Sequence, residues 1–147
     1  MLSKLETTVM SVGGSIVINE KGFDIDYLTE LKRFANDYFK EVDKRLAVVI
    51  GGGKTARDPQ KSARIINPDL TEEDLDWIGI YATKFNAQVI AKFFKGYASP
   101  EIIIDPTKGV NWEYPIVFAA GWLPGCSTDY DAVLLAKNLG SKKKWLI

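Results

Sequence analysis

A chain of 147 residues with 46% apolar composition can bury one core of ordinary size, which excludes a second independent domain. Nineteen basic residues balance nineteen acidic ones, so no broad field exists to draw in a nucleic-acid backbone or an anionic membrane surface, and any anion site must be local. A single cysteine, Cys126, excludes an intrachain disulfide framework, and the absence of histidine excludes Ser/His/Asp and Cys/His nucleophile systems and argues against a transition-metal site.

Residues 7–12 are β-branched and apolar and break at Gly13-Gly14-Ser15, the pattern of a buried strand entering a tight turn. From Asp24 to Arg45 the apolar positions Ile25, Leu28, Leu31, Phe34, Ala35, Tyr38, Phe39 and Val42 recur at three- and four-residue spacing, which predicts an amphipathic helix. Residues 46–50 form a continuous apolar run, as in a parallel strand covered on both faces, and end in Gly51-Gly52-Gly53. A short helix through Arg57 is expected to follow.

Asn67-Pro68 marks a loop, and Thr71 with Asp74 three residues later is a capping box for a helix reaching about Phe94, with Ile78, Ala82, Phe85, Val89 and Phe93 as its inner face. Residues 101–104 and 115–119 read as two strands, residues 128–139 as a helix, and a last strand starts at Trp145. Alternating strands and helices predict an α/β fold, a three-layer α/β/α sandwich around a mainly parallel sheet. No apolar run approaches the ~20 residues that span a bilayer, and the N-terminus lacks a signal-peptide core, so a cytoplasmic protein is expected, without nucleic-acid or membrane partners.

Three polar loops follow apolar strands, and in such folds ligands gather at the carboxyl ends of the strands, where backbone amides and helix N-termini point outward. The second loop, residues 51–57, adds Lys54 and Arg57 to bare glycine amides, a combination suited to phosphate. It is not a P-loop, because that motif requires a glycine where Val48 stands. Tight turns with solvent-facing Lys54 and Arg57 fit the same residues, but the third loop, Gly121 to Asp129, repeats the placement.

The order of Gly13-Gly14-Ser15, Gly51-Gly52-Gly53-Lys54-Thr55-Ala56-Arg57, Asp76-Trp77-Ile78-Gly79-Ile80 with Asn86-Ala87, and Pro124-Gly125-Cys126-Ser127-Thr128-Asp129 resembles the amino acid kinase superfamily, and within it the archaeal-type UMP kinases. The resemblance implies ATP-dependent phosphorylation of UMP to UDP in pyrimidine nucleotide synthesis. It implies UMP binding by Gly52, Asp76, Trp122, Leu123, Pro124, Gly125, Cys126, Ser127 and Thr128. Contact with ATP phosphates falls to Gly14, Ser15, Gly53 and Arg57, and catalytic roles to Lys54, Arg57 and Asp129. ATP and Mg²⁺ are the implied cofactors, no metal-ligating residue is assigned, and a homo-oligomer, a hexamer, is the implied assembly.

The sequence departs from the pattern at several points. Met10 stands where bacterial members have lysine, Trp122 where archaeal relatives have a small polar residue, and Tyr130-Asp131 leaves the register of Asp129 against Asp131 open. Residues 1–147 are expected to form a single domain, the acceptor half, with the ATP-binding C-terminal part absent and this chain inactive alone. Another small-molecule kinase of the family, or a non-catalytic nucleotide-binding or storage protein on the same scaffold, is the alternative. On its own, Asp76 also reads as an exposed acid favouring a helix dipole, Cys126 as a small filler, Lys142-Lys143-Lys144 as a solvated turn, and Phe34, Tyr38, Phe39, Phe93 and Phe94 as core.

Overall fold

The computed structural model describes residues 5–40 and 43–147. Its central sheet is parallel, in the order β5-β4-β1-β6, formed by β1 (Glu6–Val12), β4 (Lys44–Ile50), β5 (Ile116–Ala119) and β6 (Lys143–Leu146). Side-chain direction alternates along each strand. Met10, Val12, Leu46, Val48, Ile50, Ile116 and Phe118 therefore face one core, shared with α2 (Ile25–Tyr38) and α4 (Glu72–Phe93). Val9, Ala47, Val49, Val117 and Ala119 face the other, closed by Ala132, Leu135 and Ala136 of α5 (Thr128–Asn138). Helices on both faces of a parallel sheet make the expected three layers.

Several local expectations are corrected. The helix predicted over residues 24–45 is capped by Asp24 and stops at Tyr38, because Lys44 and Arg45 are drawn into β4 opposite Glu6 and Thr7. Val42 lies outside the described residues, and Ile25 at the first turn is 76% exposed. The helix expected to end at Arg57 is α3 (Gly53–Ile66), which runs through Pro59. Its packing along α4, with Gln60 Nε2 donating to the Leu75 carbonyl at 2.8 Å and an Arg64–Glu72 pair at 2.6 Å, offsets the N–H that proline lacks.

Residues 101–104 are not a strand. Ile103 alone bridges to Ala119, because Pro100 and Pro106 on either side remove donors that a longer ladder requires. Between β1 and α2 the chain makes a one-turn helix, α1 (Gly14–Val17), and a small hairpin of β2 (Ile18–Asn19) and β3 (Gly22–Phe23), too short to leave a periodicity.

The start of α4 is as expected: Thr71 Oγ1 accepts the Asp74 N–H at 3.2 Å and Asp74 Oδ2 accepts the Thr71 N–H at 2.9 Å, a reciprocal capping box. Its inner face is rotated from the prediction. Leu75, Ile80, Thr83, Asn86, Ala87 and Ile90 are buried with Ala82, whereas Phe85 and Phe93 are exposed. Phe94 is buried, and Phe34, Tyr38 and Phe39 pack partly buried against the same core. Lys143 and Lys144 lie within β6, where Lys143 pairs with Glu6 at 2.7 Å.

Candidate functional site

Three loops leave the carboxyl ends of β1, β4 and β5 and meet at one rim. The first two approach backbone to backbone: a Cβ built on Gly51 would lie 2.5 Å from the Gly14 nitrogen, and one built on Gly14 would collide with the backbone of Gly53. Only glycine permits that approach, and Gly53 also takes φ +54°. Arg57, one turn into α3, reaches back across the contact and donates to Ser15 Oγ at 3.0 Å. No side chain caps the first turn of α3, whose N-cap is Gly52, so its leading amides face the rim as a positive dipole end.

Between this turn and the β5–α5 loop lies a groove of about 480 Å³. Gly52, Gly53 and Arg57 form one wall, and Leu123, Gly125, Cys126, Ser127 and Thr128 the opposite one. Asp76 and Gly79 of α4 contribute to the groove, with Ile80 and Thr83 of the same helix. Asp76 Oδ2 accepts the Gly125 N–H at 2.8 Å, which holds the loop and leaves the second carboxylate oxygen for a ligand hydroxyl. Ser127 caps α5 by accepting the Tyr130 N–H at 3.1 Å. Two helix N-termini, a guanidinium and a carboxylate thus border one cavity, an arrangement suited to a phosphorylated polyhydroxyl ligand.

The remaining expected residues lie around the groove. Lys54 does not line it; its Nζ pairs with Asp58 at 2.7 Å and Glu20 at 3.2 Å, and these bonds raise its pKa and keep it charged. Asp129 turns toward β1 and accepts the Ser11 hydroxyl at 2.6 Å. Trp122 lines a neighbouring cavity of about 380 Å³ together with Trp77, and Pro124 is not among the groove-lining residues. Cys126 is a free thiol on the groove wall.

Three side chains without an assigned role prove to organise the site. Thr83 Oγ1 accepts the Gly121 N–H at 2.8 Å and donates to the Ile80 carbonyl at 2.6 Å. Asn86, fully buried, donates to the carbonyls of Gly51 at 3.0 Å and Gly52 at 2.9 Å. Asp131, 1% exposed, accepts the Trp122 N–H at 3.1 Å, and burial raises its pKa although that bond opposes the rise. The sequence signal for Thr83 and Asn86 is a pair of polar residues three apart within an otherwise apolar helix face.

Comparison with known proteins follows the same lines. The amino acid kinase family matches residues 6–147. The uridylate kinase of Thermoplasma volcanium is 40% identical over 135 residues, covering 90% of this chain and 56% of the relative. That of Thermoplasma acidophilum is 35% identical over 139 residues, covering 93% and 58%. The crystal structure of uridylate kinase from Archaeoglobus fulgidus superposes with a TM-score of 0.79 at 29% identity, over 96% of this chain and 62% of that one. Aspartate kinase from Synechocystis shares the fold, with a TM-score of 0.67 at 15% identity, over 97% of this chain and 28% of that one. The chain therefore spans a little over half the length of the curated relatives it matches.

Proposed function

Because the chain belongs to the amino acid kinase family, we propose that it is the acceptor half of a uridylate kinase that transfers the γ-phosphoryl group of ATP to UMP, giving ADP and UDP. The observation that carries this reading is the groove in which the N-termini of α3 and α5, Arg57 and Asp76 converge. In it the free oxygen of Asp76 accepts a ribose hydroxyl, and Gly52 with Leu123, Gly125, Cys126, Ser127 and Thr128 encloses UMP. Gly14, Ser15, Gly53 and Arg57 meet the phosphates of ATP from the side of β1.

Transfer between two anions needs alignment and neutralisation of charge more than a covalent nucleophile. Arg57, bonded to Ser15 on one side and lining the groove on the other, is the cation we assign to the transferred group. Lys54 would serve as a second only by exchanging Asp58 and Glu20 for phosphate. Mg²⁺ would accompany the nucleotide phosphates and offset their charge, and no residue of this chain is proposed as its ligand. Asp129 orients the end of β1 through Ser11 rather than reaching the groove.

No helix among the described residues is long and apolar enough to cross a membrane. The cytoplasm is the compartment we assign on the uridylate kinase reading alone. We also assign it to a homo-oligomer, a hexamer on the family pattern. Support comes from the outer stripe of α4, where Tyr81 and Phe85 are 61% and 54% exposed between Asp74 near one end and Lys92 near the other, so antiparallel self-pairing joins opposite charges.

Calorimetric titration with UMP and AMP tests the central reading. Preference for UMP is expected, and equal affinity for the two, or none for either, removes the assignment.

A further inference from the structure

The two walls of the groove belong to loops that are far apart in sequence, yet their spacing sets whether acceptor and donor can be aligned. Both loops are tied to the same buried face of α4. Thr83 and Asn86 sit three residues apart, which places them on one side of the helix. Thr83 accepts the Gly121 N–H at the start of the β5–α5 loop, and Asn86 donates to the Gly51 and Gly52 carbonyls just after β4.

Both side chains are removed from water, at 5% and 0% exposure. Burial of a hydroxyl and an amide NH₂ in an apolar helix face is unfavourable unless each is bonded, and both are, although Asn86 Oδ1 has no partner among the described residues; these bonds select a single geometry for the backbone they hold. The only proton of the Thr83 hydroxyl is committed to the Ile80 carbonyl, which orients its lone pairs toward Gly121. The glycine turn has no side chains of its own with which to hold its shape. Gly51 is fixed instead by its N–H to the Val12 carbonyl at 3.0 Å and its carbonyl to Asn86.

We propose that Thr83 and Asn86 are positioning residues for the phosphoryl acceptor: from one rigid helix they hold the glycine turn and the acceptor loop at the separation the ligand requires. Thr83 also borders the groove, but the role assigned to it and to Asn86 is exerted through the backbone each one holds, and it rests on the uridylate kinase reading above. Thr83→Val keeps the volume and loses the bond, whereas Thr83→Ser keeps the hydroxyl.

The experiment measures UMP affinity by calorimetry and amide hydrogen exchange at residues 121–125 for the full chain, its Thr83→Val and Thr83→Ser variants, and Asn86→Leu. Thr83→Val is expected to weaken UMP binding about tenfold, the size of one net hydrogen bond, and to speed exchange at 121–125. Thr83→Ser is expected to restore both. Asn86→Leu should weaken UMP binding while leaving exchange at 121–125 unchanged. Wild-type binding of UMP with equal affinity in Thr83→Val overturns the proposal while leaving the kinase reading intact. If the wild type binds no UMP, the kinase reading fails, and unchanged loop exchange in Thr83→Val then overturns the positioning role as well.

Discussion

Ser11 at the end of β1 donates its hydroxyl to Asp129 at the start of α5 across 2.6 Å, although 118 residues of chain separate them. Ser11 is wholly buried, so the bond fastens the first turn of α5 to the central strand of the sheet. Asp129 thereby acts on the frame of the site.

That bond gives the first prediction. Ser11→Ala should lower stability by about 1 kcal/mol, the usual net value of one such hydrogen bond, and Asp129→Asn should cost less because the amide oxygen still accepts. Urea denaturation of the two variants checks the order, and equal stability of Ser11→Ala and wild type would contradict it.

Asp131 yields a pH signature. Burial raises its folded pKa above the ordinary carboxylate value, so the folded state holds its proton to higher pH than the unfolded chain does. Stability from this group is therefore full below the ordinary carboxylate value and lost as pH rises through the raised one. Glu6, Asp74 and Asp105 are shifted down by Lys143, by Thr71 and by Thr107, and their contributions vanish in the opposite direction, as pH falls. The difference in melting temperature between Asp131→Asn and wild type isolates the first effect. It should grow in favour of the variant as pH rises from acid toward neutral, and a flat difference would count against the buried charge.

Glycine substitutions should separate two kinds of constraint. Gly14→Ala forces a Cβ into the Gly53 backbone and should destabilise by on the order of 3 kcal/mol. Gly125 has open space around its Cβ position but φ +81°, so Gly125→Ala should cost only about 1 kcal/mol of backbone strain. Thermal melts that reverse this order would show that the loop contact is softer than the structure indicates.

Arg57→Ala should cost about 1.5 to 3 kcal/mol of nucleotide binding, as charge-assisted hydrogen bonds do. Arg57→Lys should recover only part, since a single ammonium cannot reproduce the guanidinium fork that reaches both Ser15 and the groove. Unchanged affinity in Arg57→Ala would return Arg57 to a solvated role.

Strands β1, β4 and β5 were legible because parallel strands covered on both faces read as unbroken apolar runs, whereas residues 101–104 carry the same kind of run without forming a strand; the capping box of α4 was legible because its signal is local. The inner face of α4 was not. Its apolar residues, Ile78, Phe85 and Phe93 as well as Leu75, Ile80 and Ile90, surround the helix, and the face that turns inward is the one carrying Thr83 and Asn86. Periodicity that scores only apolar residues cannot find a buried stripe chosen for its hydrogen bonds. The length of α3 was hidden for a related reason, since Ala56 is its only buried residue and Pro59 interrupts the pattern. At the site, the glycine turns and Asp76 were visible as types and spacings. The turn of Trp122 into the adjoining cavity and the commitment of Lys54 to Glu20 and Asp58 depend on neighbours distant in sequence.

The alternation along β4 also restricts how this chain can change in length. Lys44–Ile50 sends successive side chains to opposite cores and then delivers Gly51 to Asn86 and Gly14. One residue added or removed within the strand would exchange the two cores and carry the glycine turn past both of its partners at once. Folding and ligand capture share a single reading frame there. Insertions are expected to be tolerated instead at exposed tips such as residues 67–69 or 107–109, where no register is counted.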